Sequence, residues 1–154
     1  MEDLEVVHWE RSILEYNRIF REGDLAAALE GYKKLFQIAK DQIDWFQDFG
    51  DPQNLDGFYT AIDRLIVSSH NIADCHEARK KGSQTVYYLN YPLTLTRKIL
   101  ESNRLPEEAQ SFLLKRFQFC HVTYLTYLKS CRCDLIPKID LPGLDTSVSS
   151  SEFH

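Results

Sequence analysis

His70 is the residue whose type and setting most invite a chemical role, because it stands alone in the middle of a helix-forming stretch. A phosphoryl group on a histidine needs a nearby cation. The residues that follow, Asn71, Ile72, Ala73 and Asp74, offer no lysine, and Asp74 one turn on would repel the phosphate. Metal ligation fares no better. Cys131 and Cys133 are separated by one residue, with no second Cys/His pair at zinc-site spacing. His70 and His76 are six apart and do not share a helix face, and Cys120-His121 is an adjacent pair on a predicted core helix. Asp41, Asp44 and Asp48 recur along one solvated face. There is no glycine-rich phosphate loop and no nucleophile elbow. No catalytic residue, metal or cofactor is expected.

The totals of the chain fit the same reading. Its 154 residues suit one domain, and 44% hydrophobic with 27% charged residues is ordinary for a soluble globular protein. A net charge of -5 argues against a nucleic-acid binder. No apolar run approaches the roughly 20 residues that cross a bilayer, so no membrane span is expected. The acidic start MEDLEVVHWE is unlike a secretory leader. Four cysteines do not make a disulfide framework, so a cytoplasmic protein with reduced thiols is expected.

The elements that would position any site are helices. Trp9, Ile13, Tyr16, Ile19 and Phe20 form a helical stripe over Glu2 to Glu22. Gly23 suits the left-handed residue that ends this helix, and Asp24 can cap the next by accepting from its free N–H groups. The second helix is predicted from Leu25 to about Phe46, before the break at Gly50-Asp51-Pro52. A third is predicted from near Asn54 to about Lys81. Gly82-Ser83 then makes a turn, and Ser83 caps a fourth helix from Gln84 to Ser102. Pro92 should kink the fourth. Pro106 with Glu107 and Glu108 opens a fifth, running to about Cys131. The chain is therefore read as all-α, with a helical domain over 1–133 and an extended or disordered tail over 134–154.

Between Tyr16 and Phe36 the sequence YNRIFREGDLAAALEGYKKLF joins two of these helices through Gly23-Asp24, followed by Ala28 and Tyr32. That turn and second helix resemble a tetratricopeptide (TPR) hairpin. A second, looser match begins at His70-Asn71-Ile72-Ala73-Asp74, similar to the HNLAD-type second hairpin of small bacterial TPR-like proteins. The resemblance covers about residues 8 to 100. It implies antiparallel hairpins of about five helices in a right-handed α-α superhelix. Glu15 and Tyr16 stand where the pattern has a large aliphatic and then a small residue, so shifted packing is expected there.

TPR arrays bind peptides along a concave face lined by the first helix of each hairpin, so the resemblance implies a non-enzymatic protein- or peptide-binding module. Carried over by position, it puts Ile13, Asn17, Phe20 and Arg21 on that face, with His70, Asp74 and Glu77 from the second hairpin. Asn17 matches an asparagine that holds a ligand backbone. Ile13 stands where a carboxylate clamp has a basic residue, so an amphipathic partner is expected. The plainer alternative is that these side chains pack between helices or face water. Trp9, Ile13, Tyr16 and Phe20 also need a cover. The options are the fifth helix, the tail's Leu135, Ile136, Ile139 and Leu141, or a second copy, which would make the chain a self-associating homodimer.

Overall fold

The computed structural model describes residues 2–102 and 104–131, with side chains from His8 onward. The predicted tail, and with it Leu135, Ile136, Ile139 and Leu141, lies outside the described residues. The rest is all-α, as expected: α1 (Glu2–Arg21), α2 (Leu25–Phe49), α3 (Asp56–Ala78), α4 (Gly82–Ser102) and α5 (Glu107–Ser130). Each helix packs on its neighbour in sequence. Contacts two helices apart define the layers. Arg64 lies over the ring of Trp9, and Asn71 bonds Asn17, which ties α3 to α1. Arg116 pairs with Asp63, and Phe112 lies against Tyr59, which ties α5 to α3. Phe36 of α2 meets Tyr88 and Tyr91 of α4 edge-on. Helices α1, α3 and α5 therefore form one layer and α2 and α4 the other, with α3 at the centre.

The first joint is closed by local bonds. Asp24 N donates to Ile19 O (3.2 Å) and Gly23 N to Phe20 O (3.0 Å), the paired closure that requires a left-handed residue. Gly23 supplies it at φ +93° without a Cβ penalty. Asp24 Oδ1 then accepts from Ala27 N at 3.1 Å and caps α2. Close approach of α1 and α2 depends on Gly31. A Cβ built there would overlap the ring of Tyr16. The bulky residue on α1, out of place in a TPR pattern, is matched by a missing side chain on α2.

The stripe on α1 is covered by α2 and α3. Trp9 and Ile13 are buried against Ala28, Leu29, Tyr32, Leu35, Ile72 and Cys75, and Trp9 Nε1 donates to Leu35 O at 3.5 Å. A larger apolar cluster joins α2, α3, α4 and α5, with Ile43, Ile62, Leu65, Leu113 and Tyr124 at most 1% exposed.

The structure corrects several boundaries. α2 continues to Phe49 and α3 stops at Ala78, short of Lys81. Lys81 N bonds His76 O (2.8 Å) and Lys80 N bonds Glu77 O (2.9 Å), so the left-handed residue of this joint is Lys80 at φ +57°. Gly82 thereby becomes the first residue of α4, and Ser83 lies inside the helix rather than in front of it. α4 runs through Pro92, where the sequence expects a kink. Proline has no N–H for the carbonyl of Tyr88 four residues back. Buried Ser69 of α3 donates its hydroxyl to that oxygen instead, at 2.5 Å. Cys75 and Cys120 are free buried thiols, but Cys131 is disulfide-bonded, contrary to the expectation of reduced thiols throughout. It lies past the last turn of α5 in extended backbone, outside the helical geometry that holds the other two.

Candidate functional site

Where α1 and α3 run side by side, a cavity of about 170 Å³ opens between them, lined by Asn17, Phe20, Arg21, Tyr32, Asn71 and Asp74. Tyr32 reaches it from α2. Its hydroxyl donates to Asn17 Oδ1 at 2.6 Å, and Asn71 Nδ2 donates to the same oxygen at 3.3 Å. Both lone pairs of Asn17 Oδ1 are thus occupied, which orients the amide. The Asn17 Nδ2 donor and the Asn71 Oδ1 acceptor have no partner among the described residues.

Charge is arranged around this amide pair. Arg21 and Asp74 both line the cavity, yet they form no ion pair with each other or with any described residue. Burial, with a smaller contribution from Glu77, raises the Asp74 carboxyl to about 6. Its surface is exposed, but the groove wall replaces much of its hydration, which is what a carboxylate loses on entering a cleft. Burial also raises Tyr32 to about 12; Cys75 and Asp74 add to the shift and Arg21 opposes it. Tyr32 is therefore a neutral donor at physiological pH. Behind it, burial raises the Cys75 thiol to about 11, far from a reactive thiolate.

Of the residues singled out in the sequence, Asn17, Phe20, Arg21 and Asp74 meet in this cavity. Glu77 is exposed one turn beyond and acts on Asp74 through its charge. Ile13 is 8% exposed and belongs to the core under α1. His70 is half-buried and turns to the other flank of α3, where its ring lies 5.9 Å from that of Phe119 on α5. Burial pushes it down to about 4, and its Nε2 has no hydrogen-bond partner.

Two residues of the cavity went unassigned in the sequence reading. In the sequence Tyr32 stands only as part of the first hairpin's pattern, and Asn71 only as part of the His70–Asp74 run. His70 and Asn71 both lie within one turn of Asp74, so spacing alone does not show which faces α1 and which faces α5. The α3 flank toward α5 holds no comparable free polar pair, because Arg116 Nε closes on Asp63 Oδ1 at 2.6 Å and its guanidinium covers the ring of Phe112.

Fold and cavity define a two-layer protein of helical hairpins with a polar groove between two parallel helices. The chain belongs to the family described as protein of unknown function (DUF2753), whose model matches residues 7–142 and so takes in the groove and all of α2 to α5. No curated protein and no solved structure matches it.

Proposed function

We propose that this is a non-enzymatic binding module that takes an extended peptide segment of a partner protein in the groove between α1 and α3. One observation carries the reading. Tyr32 and Asn71 saturate Asn17 Oδ1, so the cavity presents one amide donor and one carbonyl acceptor side by side, the complement of a peptide bond. Arg21 and Asp74 add opposite charges beside that pair and favour a segment carrying both an acidic and a basic group. The antiparallel hairpins and the layer of α1, α3 and α5 support the resemblance to TPR arrays, whose first helices line the binding face. A right-handed superhelix and a cytoplasmic setting belong to the same proposal. Among the described side chains of α1, self-association would draw on Leu14, which is 66% exposed, because Trp9 and Ile13 are already covered within the chain.

The test is selection of displayed peptides on the full chain, followed by titration of an enriched peptide. Asn17→Ala is expected to weaken its binding by about tenfold or more, the loss that follows when a buried hydrogen-bonding group goes unpaired. For a peptide with a basic group at Asp74, affinity should rise as pH passes upward through about 6, since the carboxylate then carries its charge. Peptides bound equally by the folded Asn17→Ala variant would sink the reading.

A further inference from the structure

A second cavity, of about 190 Å³, lies at the opposite end of the bundle, where the α2–α3 and α4–α5 connections meet. Phe58, at the start of α3, lines it; Asn71 of the groove lies further along the same helix, about 20 Å away at 1.5 Å per residue. Phe46, Leu55, Phe58, Ile99 and Leu105 give it mostly apolar walls, interrupted by the polar side chains of Gln47 and Ser102. Phe46 lies where a side chain at residue 57 would be, so that a Cβ on Gly57 would overlap its ring. Phe46 also stacks edge-on with Phe58 at 6.5 Å and with Trp45 at 5.0 Å.

Two further observations point to a ligand. The last turns of α2, beside the cavity, expose Trp45 (53%) and Phe49 (71%), large aromatic surface left in water. Arg104 stands among the lining residues as a cation with no ion pair among the described residues. An apolar cavity of roughly 150 Å³ is enough for a benzene ring. We propose that this cavity binds a small aryl- or alkyl-carboxylate, its apolar end between Phe46, Phe58 and Ile99 and its carboxylate at Arg104. Mostly apolar walls favour an apolar ligand body, and one cation at the rim selects an anion over a neutral molecule of the same shape. The site is independent of the peptide groove and does not depend on the function proposed for it.

The test titrates the full chain with 4-phenylbutyrate and with its neutral counterpart 4-phenylbutan-1-ol, reading tryptophan fluorescence and backbone amide shifts. Trp45, whose ring packs edge-on against the lining residue Phe46, reports on the cavity, whereas Trp9 is buried in the cluster under α1 and serves as an internal reference. The expected result is saturable binding, with shifts over residues 45–58 and 99–105. The acid should bind about tenfold more tightly than the alcohol, the usual gain from a charge-assisted hydrogen bond. Arg104→Gln, an exposed position where folding is not at stake, should abolish that preference and leave the alcohol's affinity unchanged. The proposal is overturned if neither compound saturates, if the shifts fall on Asn17–Arg21 instead, or if Arg104→Gln keeps the preference for the acid.

Discussion

The α1/α2 and α3/α4 hairpins close with the same two backbone bonds, but the residues at the two joints differ in kind. In the first, glycine takes the left-handed position and Asp24 caps the following helix with its own side chain. In the second, Lys80 takes that position at φ +57°, and no acidic residue opens α4. What secures the second hairpin lies across space. Ser69 satisfies the carbonyl that Pro92 leaves open, and His76 stacks on Tyr88 at 5.7 Å with both its ring nitrogens buried and unbonded. Local chemistry specifies one hairpin, and packing specifies the other. The groove lies where they meet, with Asn17 and Tyr32 from the first and Asn71 and Asp74 from the second.

Acidification should break the second hairpin first. Burial lowers His70 to about 4, below its unfolded value near 6.5. The unfolded chain therefore binds more protons in this window, so stability is complete above about 6.5 and is lost as pH falls toward 4. The shift corresponds to about 3 kcal/mol at most. Urea unfolding at pH 4 and pH 7 should show a smaller acid loss in His70→Leu than in the wild type, and parallel losses would exclude His70 as the cause. Ser69→Ala leaves the Tyr88 carbonyl buried without a donor and should cost about 1–3 kcal/mol. Placing Pro92→Ala in that background restores a helical N–H, so the double-mutant cycle should show favourable coupling; additive losses would contradict the pairing.

In the first hairpin, Gly31→Ala forces a methyl group into the Tyr16 ring. Overpacking of this kind costs about 1–3 kcal/mol, and the roughly 1 kcal/mol that alanine gains in helix propensity only partly offsets it. Denaturant midpoints unchanged in this variant would mean that Tyr16 can move aside at no cost. The smallest effect is a gain. Lys80→Gly removes a left-handed lysine and should stabilise the chain by about 0.5–1 kcal/mol, making the second joint chemically like the first. Thermal unfolding of that variant beside Gly23→Lys, which should move the other way, gives the comparison in one assay.

The helices, their order and the first joint are legible in residue spacing and type, because these rest on interactions within a few residues. The stripe from Trp9 to Phe20, the Gly23-Asp24 closure and the Pro106 start of α5 could all be read from spacing and residue type. Of the positions carried over from the TPR resemblance, Asn17, Phe20, Arg21 and Asp74 line the groove, whereas Ile13 packs in the core and His70 faces Phe119. The remaining features depend on how distant helices pack. His70 and Asn71 are adjacent on α3, and only the positions of α1 and α5 send one to Phe119 and the other to Asn17. Tyr32 became a polar group of the groove only because Gly31 lets Tyr16 and α1 approach so closely. The end of α3 moved to Ala78 because a left-handed residue is set by the bonds that close the joint, and those bonds selected Lys80 although a glycine lay two residues on. Short-range preferences choose the helices. Which of their faces meet depends on side-chain volumes fitted across distant parts of the chain, which no local pattern encodes.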